Sequence, residues 1–166
     1  MIKKRIQKLI NRFDKYKIDG YVIPKNDEFF SEYSKNDRLK TISNFTGSAG
    51  YSVILKDKNY LFVDGRYTIQ ADKESGKIFN IVSYDKIVNC NLFKNLTLGV
   101  DPKILTSQQI KRYFSKHNKI KIIKENLIDQ VYKKKSVFHK PFFSIDDDIV
   151  GESYKEKLLK IKKYLN

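Results

Sequence analysis

Apolar positions recur along the first residues of the chain at the spacing of one helix face: Ile2, Ile6, Leu9, Ile10 and Phe13 stand at i, i+4, i+7, i+8 and i+11. This predicts a packing helix ended by Asp19-Gly20, followed by a short buried strand, YVIP, that stops at Pro24. Lys25 to Lys40 is polar and reads as a loop with at most a helical turn. Two apolar runs, YSVILK and YLFV, then flank Asp-Lys-Asn, the pattern of a hairpin. A helix is predicted after Asp64-Gly65, with Asp64 as its cap and Tyr67, Gln70, Ala71 and Glu74 on one face. KIFNIVSY, LTLGV and KIKII read as further strands, and Ser107 to His117 as a helix that gathers Ile110, Tyr113, Phe114 and His117.

Strands that alternate with amphipathic helices, plus one hairpin, give an α/β fold: a mixed β-sheet with helices on its faces. After Asn126 the pattern dissolves into a connector with Pro141 and an acidic run. A last helix, Glu152 to Leu165, carries Tyr154, Leu158, Ile161 and Leu165 as a stripe without an evident partner. The expected organisation is a domain over 1–140, then a linker and the first helix of a second, incomplete domain over 141–166. The 166 residues suffice for one well-cored domain.

Composition changes this picture little. The net charge of +15 points toward nucleic acid at first sight. However, 29 of the 34 basic residues are Lys, Ile (20) and Asn (12) are abundant, and Ala numbers 2, so A/T-rich codon usage explains the charge and no specific nucleic-acid binding is expected. Apolar runs are too short to cross a bilayer, and MIKKRIQKLINRF lacks the apolar centre of a signal peptide, so a cytoplasmic protein is expected. Cys90 is the single cysteine, which fits a reducing compartment.

Chemistry is sparse. FTGSAGYS lacks the lysine of a phosphate-binding loop and runs into a strand, and Ser48 directly follows Gly47, which is not the pattern of a nucleophile elbow. His117 and His139 have no ligand spacing to any acid. Asp146, Asp147 and Asp148 are contiguous, so their side chains point apart, and a solvated turn is the better reading. No catalytic or metal-binding set is found in this chain.

Ser31-Glu32-Tyr33, Arg38, ISNFTGSAG (Ile42 to Gly50) and DGRYTIQA (Asp64 to Ala71) together resemble the N-terminal domain of cytosolic Xaa-Pro aminopeptidases, the aminopeptidase P group of the creatinase and prolidase superfamily. GVDP (Gly99 to Pro102), ENLIDQVY (Glu125 to Tyr132), Pro141 and GESYKEKL (Gly151 to Leu158) extend the resemblance over nearly the whole chain. Departures are Phe29-Phe30 in place of His-Gln, Asn44 in place of Gly, and Tyr132 in place of Trp. The resemblance implies a non-catalytic domain of a larger metallopeptidase that removes the residue before proline. Two divalent metals, usually manganese, would sit in a separate catalytic domain, and this chain would be inactive alone. Its partners would be a second domain, the catalytic domain and a second copy in a homodimer, with peptide substrate bound only in the full-length protein.

The resemblance places Phe45, Thr46, Gly47 and Ser48 at the rim of a catalytic cleft or at an interface. The competing reading gives that loop a mainly structural role, like that of Arg38, Gly50, Asp64, Gly65, Arg66 and Tyr67. An alternative to the peptidase is a stand-alone interaction module of creatinase-like fold.

Overall fold

A computed structural model describes residues 1–31, 36–88, 91–132 and 141–165. The chain separates into two compact units, Met1–Lys134 and Lys135–Asn166. The boundary expected at residue 140 lies outside the described residues, as do Glu32, Tyr33, Cys90 and His139.

The first unit opens with α1 (Ile2–Ile10), which buries Ile2, Ile6 and Leu9 as the periodicity requires. The predicted single helix is broken after α1 and resumes as α2 (Phe13–Tyr16), with Phe13 fully buried. It ends earlier than Asp19-Gly20 would place it. Lys17 adopts φ 49°, and Lys17 N donates to Asp14 O while Ile18 N donates to Phe13 O, the paired closure of a left-handed helix end.

Six strands follow among the described residues: β1 (Gly20–Pro24), β2 (Gly50–Leu55), β3 (Asn59–Val63), β4 (Asn80–Ser83), β5 (Thr97–Val100) and β6 (Lys119–Ile122). They form one mixed sheet in the order β4-β3-β2-β1-β5-β6. The predicted hairpin is β2–β3, antiparallel with Gly50 opposite Val63. Because β1 is parallel to β5, β5 to β6 and β3 to β4, and β2 is antiparallel to both β1 and β3, every strand except β2 runs the same way. The ends of β1, β3, β4, β5 and β6 and the start of β2 therefore meet along one edge of the sheet. In open α/β sheets, functional loops collect at this edge.

Period-two alternation divides the core. Tyr21, Ile23, Ile54, Leu61 and Val63 pack with Leu9 and Phe13 on one face, while Val22, Val53, Leu55, Phe62, Leu98 and Val100 pack with Phe114 on the other. The first face also receives α3 (Arg38–Ser43) through Leu39 and Ile42, α4 (Thr68–Ser75) through Ala71, and α6 (Leu127–Val131) through Leu127 and Ile128. The second receives α5 (Ser107–Tyr113), which Thr106 and Gln109 start with a reciprocal capping box. This helix stops four residues short of the predicted His117, and Phe114 just beyond it fills the core.

α3 begins at the end of the segment read as loop and runs beyond it, and α6 lies where the pattern of the sequence dissolves. Six and five residues are too few to show a helical period, and each helix is instead set by its cap: Asp37 accepts from Lys40 N and Asn126 from Ile128 N.

The second unit contains α7 (Asp147–Val150), opened by Asp146, and α8 (Tyr154–Leu165). α8 starts two residues later than predicted because Ser153 caps it: Glu156 N donates to Ser153 Oγ, and Ser153 N to Glu156 Oε2. Tyr154, Leu158, Ile161 and Leu165 are all exposed. Among the described residues no helix is long and apolar enough to cross a membrane.

Candidate functional site

The sequence motifs converge on the edge where the strands end. β1 delivers Lys25 there, β2 starts there after Ser48 and Ala49, β3 delivers Asp64, and β5 delivers Asp101. Three arrangements stand on this edge.

The first centres on Arg38, whose side chain is only 4% exposed. Its Nε donates to both carboxylate oxygens of Asp129 at 3.0 and 3.1 Å, its Nη2 to Asp129 Oδ2 at 2.7 Å, and the same Nη2 to Glu28 Oε1 at 2.6 Å. Asn36 also donates to Asp129. A guanidinium fork that meets a carboxylate in this way is strong and directional. Burial works against the charged guanidinium, yet the bonds to Asp129 and Glu28 outweigh it and raise its pKa further. The bond from Arg38 in turn holds the Glu28 carboxyl below its usual range. Arg38 thus ties three segments, around residues 28, 38 and 129, into one body. Nearby, buried Lys25 pairs with Asp37, the cap of α3. Asp101, 1% exposed, accepts from Asn126, the cap of α6.

The second arrangement is the loop Phe45–Gly50. Asn44 ends α3 at φ 69°, a left-handed conformation that Asn tolerates best after Gly. Phe45 then drops into the core, fully buried, and Gly47 lies directly on its ring: a Cβ there would sit 2.2 Å from Phe45 Cζ. At Gly50 a Cβ would come 2.9 Å from the Phe62 carbonyl of the neighbouring strand. Both glycines are demanded by close approach, which is what a turn feeding a central strand requires. The exposed Thr46 donates through N and Oγ1 to Glu74 of α4, and Ser48 Oγ shares a hydrogen bond with Tyr67 OH at 2.8 Å.

The third is the strand-to-helix corner. Asp64 accepts from Arg66 N and from Arg66 Nε, which holds its carboxyl below the usual range. Gly65 to Tyr67 form a single 3₁₀ turn that leads into α4. Arg66 therefore pairs with an acid of its own turn, and Tyr67 packs edge-on against Phe45.

Candidate rim residues Phe45, Thr46, Gly47 and Ser48 are brought together with Asp64, Gly65, Arg66 and Tyr67 through the Ser48–Tyr67 and Phe45–Tyr67 contacts, Gly50 follows at the start of β2, and Arg38 is bound instead to Glu28 and Asp129. Sequence reasoning missed Asp129, Glu28 and Glu74 as partners. Glu74 could be found from its shared helix face with Gln70, but nothing local signals Asp129, 91 residues from Arg38. Asp146, Asp147 and Asp148 are exposed, and His117 joins no acid: among the described residues no three His, Cys, Asp or Glu gather as a metal set.

A mixed sheet of this direction pattern, with helices on its faces and ion-paired loops at its strand-end edge, defines an α/β domain. Residues 5–131 match the Creatinase/Prolidase N-terminal domain family, and the chain belongs to that family. It is 31% identical over 176 residues to a probable Xaa-Pro aminopeptidase P of Coprinopsis cinerea, covering 96% of this chain and 28% of that protein. It is also 31% identical over 195 residues to Xaa-Pro aminopeptidase 1 of Dictyostelium discoideum, covering 98% and 30%. The chain thus spans under a third of the length of these relatives. The X-prolyl aminopeptidase of Caenorhabditis elegans, described as a cytosolic enzyme with a di-nuclear active site, superposes with a TM-score of 0.80 at 22% identity, over 99% of this chain and 31% of that one. The N-terminal domain of the cytoplasmic peptidase PepQ from Mycobacterium tuberculosis superposes with a TM-score of 0.59 at 16% identity, over 78% of this chain and 98% of that one.

Proposed function

We propose that this chain is the non-catalytic N-terminal domain of an Xaa-Pro aminopeptidase, a metallopeptidase that releases the residue before proline, and that it contributes to assembly and to peptide access. The observation that carries this is the 31% identity to probable Xaa-Pro aminopeptidase P across 96% of the chain. The reading divides the polypeptide into a domain over 1–140 and a linker with the opening helix of a second domain over 141–166. Its partners are that second domain, the catalytic domain and a second copy of the whole polypeptide. Its setting is the cytoplasm.

The ion-paired carboxylates at the strand-end edge do not fit a pair of divalent metals. Glu28 and Asp129 are committed to Arg38, Asp37 to Lys25, and Asp64 to Arg66, so each of these carboxylates already has a cationic partner. In this reading two divalent ions, manganese by preference, belong to the catalytic domain. What the present chain offers is the Phe45–Ser48 loop, held rigid at the strand-end edge, as a wall that limits how far a peptide extends. The test is an assay of the purified chain with Xaa-Pro peptides and excess Mn²⁺. No turnover is expected. Turnover that scales with the chain through further purification and is abolished by chelator would overturn the non-catalytic reading.

A further inference from the structure

The loop that the preceding reading assigns to peptide access is exposed at Thr46, yet both donors of Thr46 are bound within the protein. Thr46 N donates to Glu74 Oε2 at 2.8 Å and Thr46 Oγ1 to Glu74 Oε1 at 2.7 Å, so one carboxylate takes both donors of one residue. Gln70, one turn earlier on α4, donates to Thr46 Oγ1 at 2.7 Å and to Glu74 Oε1 at 3.1 Å. Ser48 is held by Tyr67 at the start of the same segment, and from below the Phe45 ring leaves room only for glycine at position 47. Among the described residues, the external hydrogen-bond anchors of Thr46 and Ser48 come from the segment Tyr67–Glu74.

We propose that Glu74 is the positioning residue of the Thr46–Ser48 loop: its carboxylate, gripping Thr46 at backbone and side chain together, fixes the direction in which this loop projects from the strand-end edge. This rests on the reading of the loop as a border of peptide access. The chemistry suits the role. A carboxylate only accepts and has room for several donors, and bonds to it are charge-assisted and orientation-dependent. Glu74 is half-buried and lies outside the apolar core, so the tie governs loop direction far more than fold stability. A neutral side chain of the same length, Gln, retains one carbonyl acceptor and should hold Thr46 in part. Ala retains none.

The experiment has two arms. In this chain, amide hydrogen exchange at Thr46 is followed in wild type, Glu74→Gln and Glu74→Ala, with melting as a control. The expected result is that Thr46 exchanges about tenfold or more faster in Glu74→Ala, as loss of a charge-assisted bond implies. Glu74→Gln should fall between the two, and melting should shift by only about 3 °C or less. Unchanged exchange at Thr46 in both variants would overturn the positioning role, and so would a large drop in melting temperature with general deprotection of the sheet, since Glu74 would then belong to the fold. In the full-length polypeptide, Glu74→Ala should change KM for longer Xaa-Pro peptides with kcat unaltered, and Glu74→Gln should restore part of it. Faster Thr46 exchange with KM unchanged at every peptide length would keep the clamp but overturn the access reading.

Discussion

Replacing Asp129 by Ala removes the larger share of what neutralises a buried guanidinium. Arg38 is 4% exposed and would lose three of its four hydrogen bonds to acids, keeping the one to Glu28. Stranding one member of a buried ion pair costs about 3–5 kcal/mol. Asp129 and Glu28 are 43% and 38% exposed, so solvent already screens the pair, and a cost nearer ~2–3 kcal/mol is expected. For a unit of this size that corresponds to roughly 6–9 °C in melting temperature. The opposite change, Arg38→Met, leaves two half-exposed carboxylates free to take up water and puts an apolar chain where the guanidinium stem was. It should cost about 1 kcal/mol or less. The double variant should be no worse than Asp129→Ala alone, because the stranded cation is gone. Urea unfolding followed by circular dichroism, suited to a chain without tryptophan, measures all three. If Arg38→Met proves as destabilising as Asp129→Ala, or neither change moves the midpoint, Arg38 is not the electrostatic knot of this edge.

Gly47→Ala should cost about 1–3 kcal/mol, because the added methyl collides with the buried Phe45 ring, whereas Gly65→Ala, with nothing within 4 Å, should be neutral or slightly stabilising; thermal melts of the two variants check the contrast. The Glu28 carboxyl is held below its unfolded pKa by Arg38, so its contribution is present above about pH 4.5 and fades as pH falls further; urea midpoints between pH 6 and pH 3 should decline less steeply in Glu28→Gln than in wild type. Leu158→Asp, on the exposed stripe of α8, should leave the melting of the first unit within about 1 °C of wild type, since surface changes are usually small, and a drop of many degrees would place α8 in that unit's core.

Much of the fold is legible in the sequence because it rests on local period. The hairpin, the buried central strands and the face of α1 follow from alternation and from the 3.6-residue repeat. The Asp64 cap is legible because capping demands particular residue types, whereas the need for Gly47 and Gly50 comes from their close approach to Phe45 and Phe62, which only the fold brings about. What could not be read is set by distant partners or by caps on very short elements. α3 and α6 lack the length for a period, and Arg38–Asp129 joins segments that only the folded sheet brings together. The end of α2 at Lys17 was hidden for a related reason: a lysine in the left-handed region carries no sign in the sequence that it will close a helix.

The most direct measurement concerns the native polypeptide that carries this sequence. It should be captured from its source cells through an epitope within residues 1–132, its intact mass determined, and its hydrolysis of Xaa-Pro peptides assayed with and without chelator. A domain of an Xaa-Pro aminopeptidase predicts a polypeptide several times longer than this chain, as its relatives are, that releases the residue before proline and loses activity when its metal is removed. A native polypeptide no longer than this chain, or a longer one without Xaa-Pro hydrolysis under any divalent metal, would contradict it and favour a stand-alone interaction module.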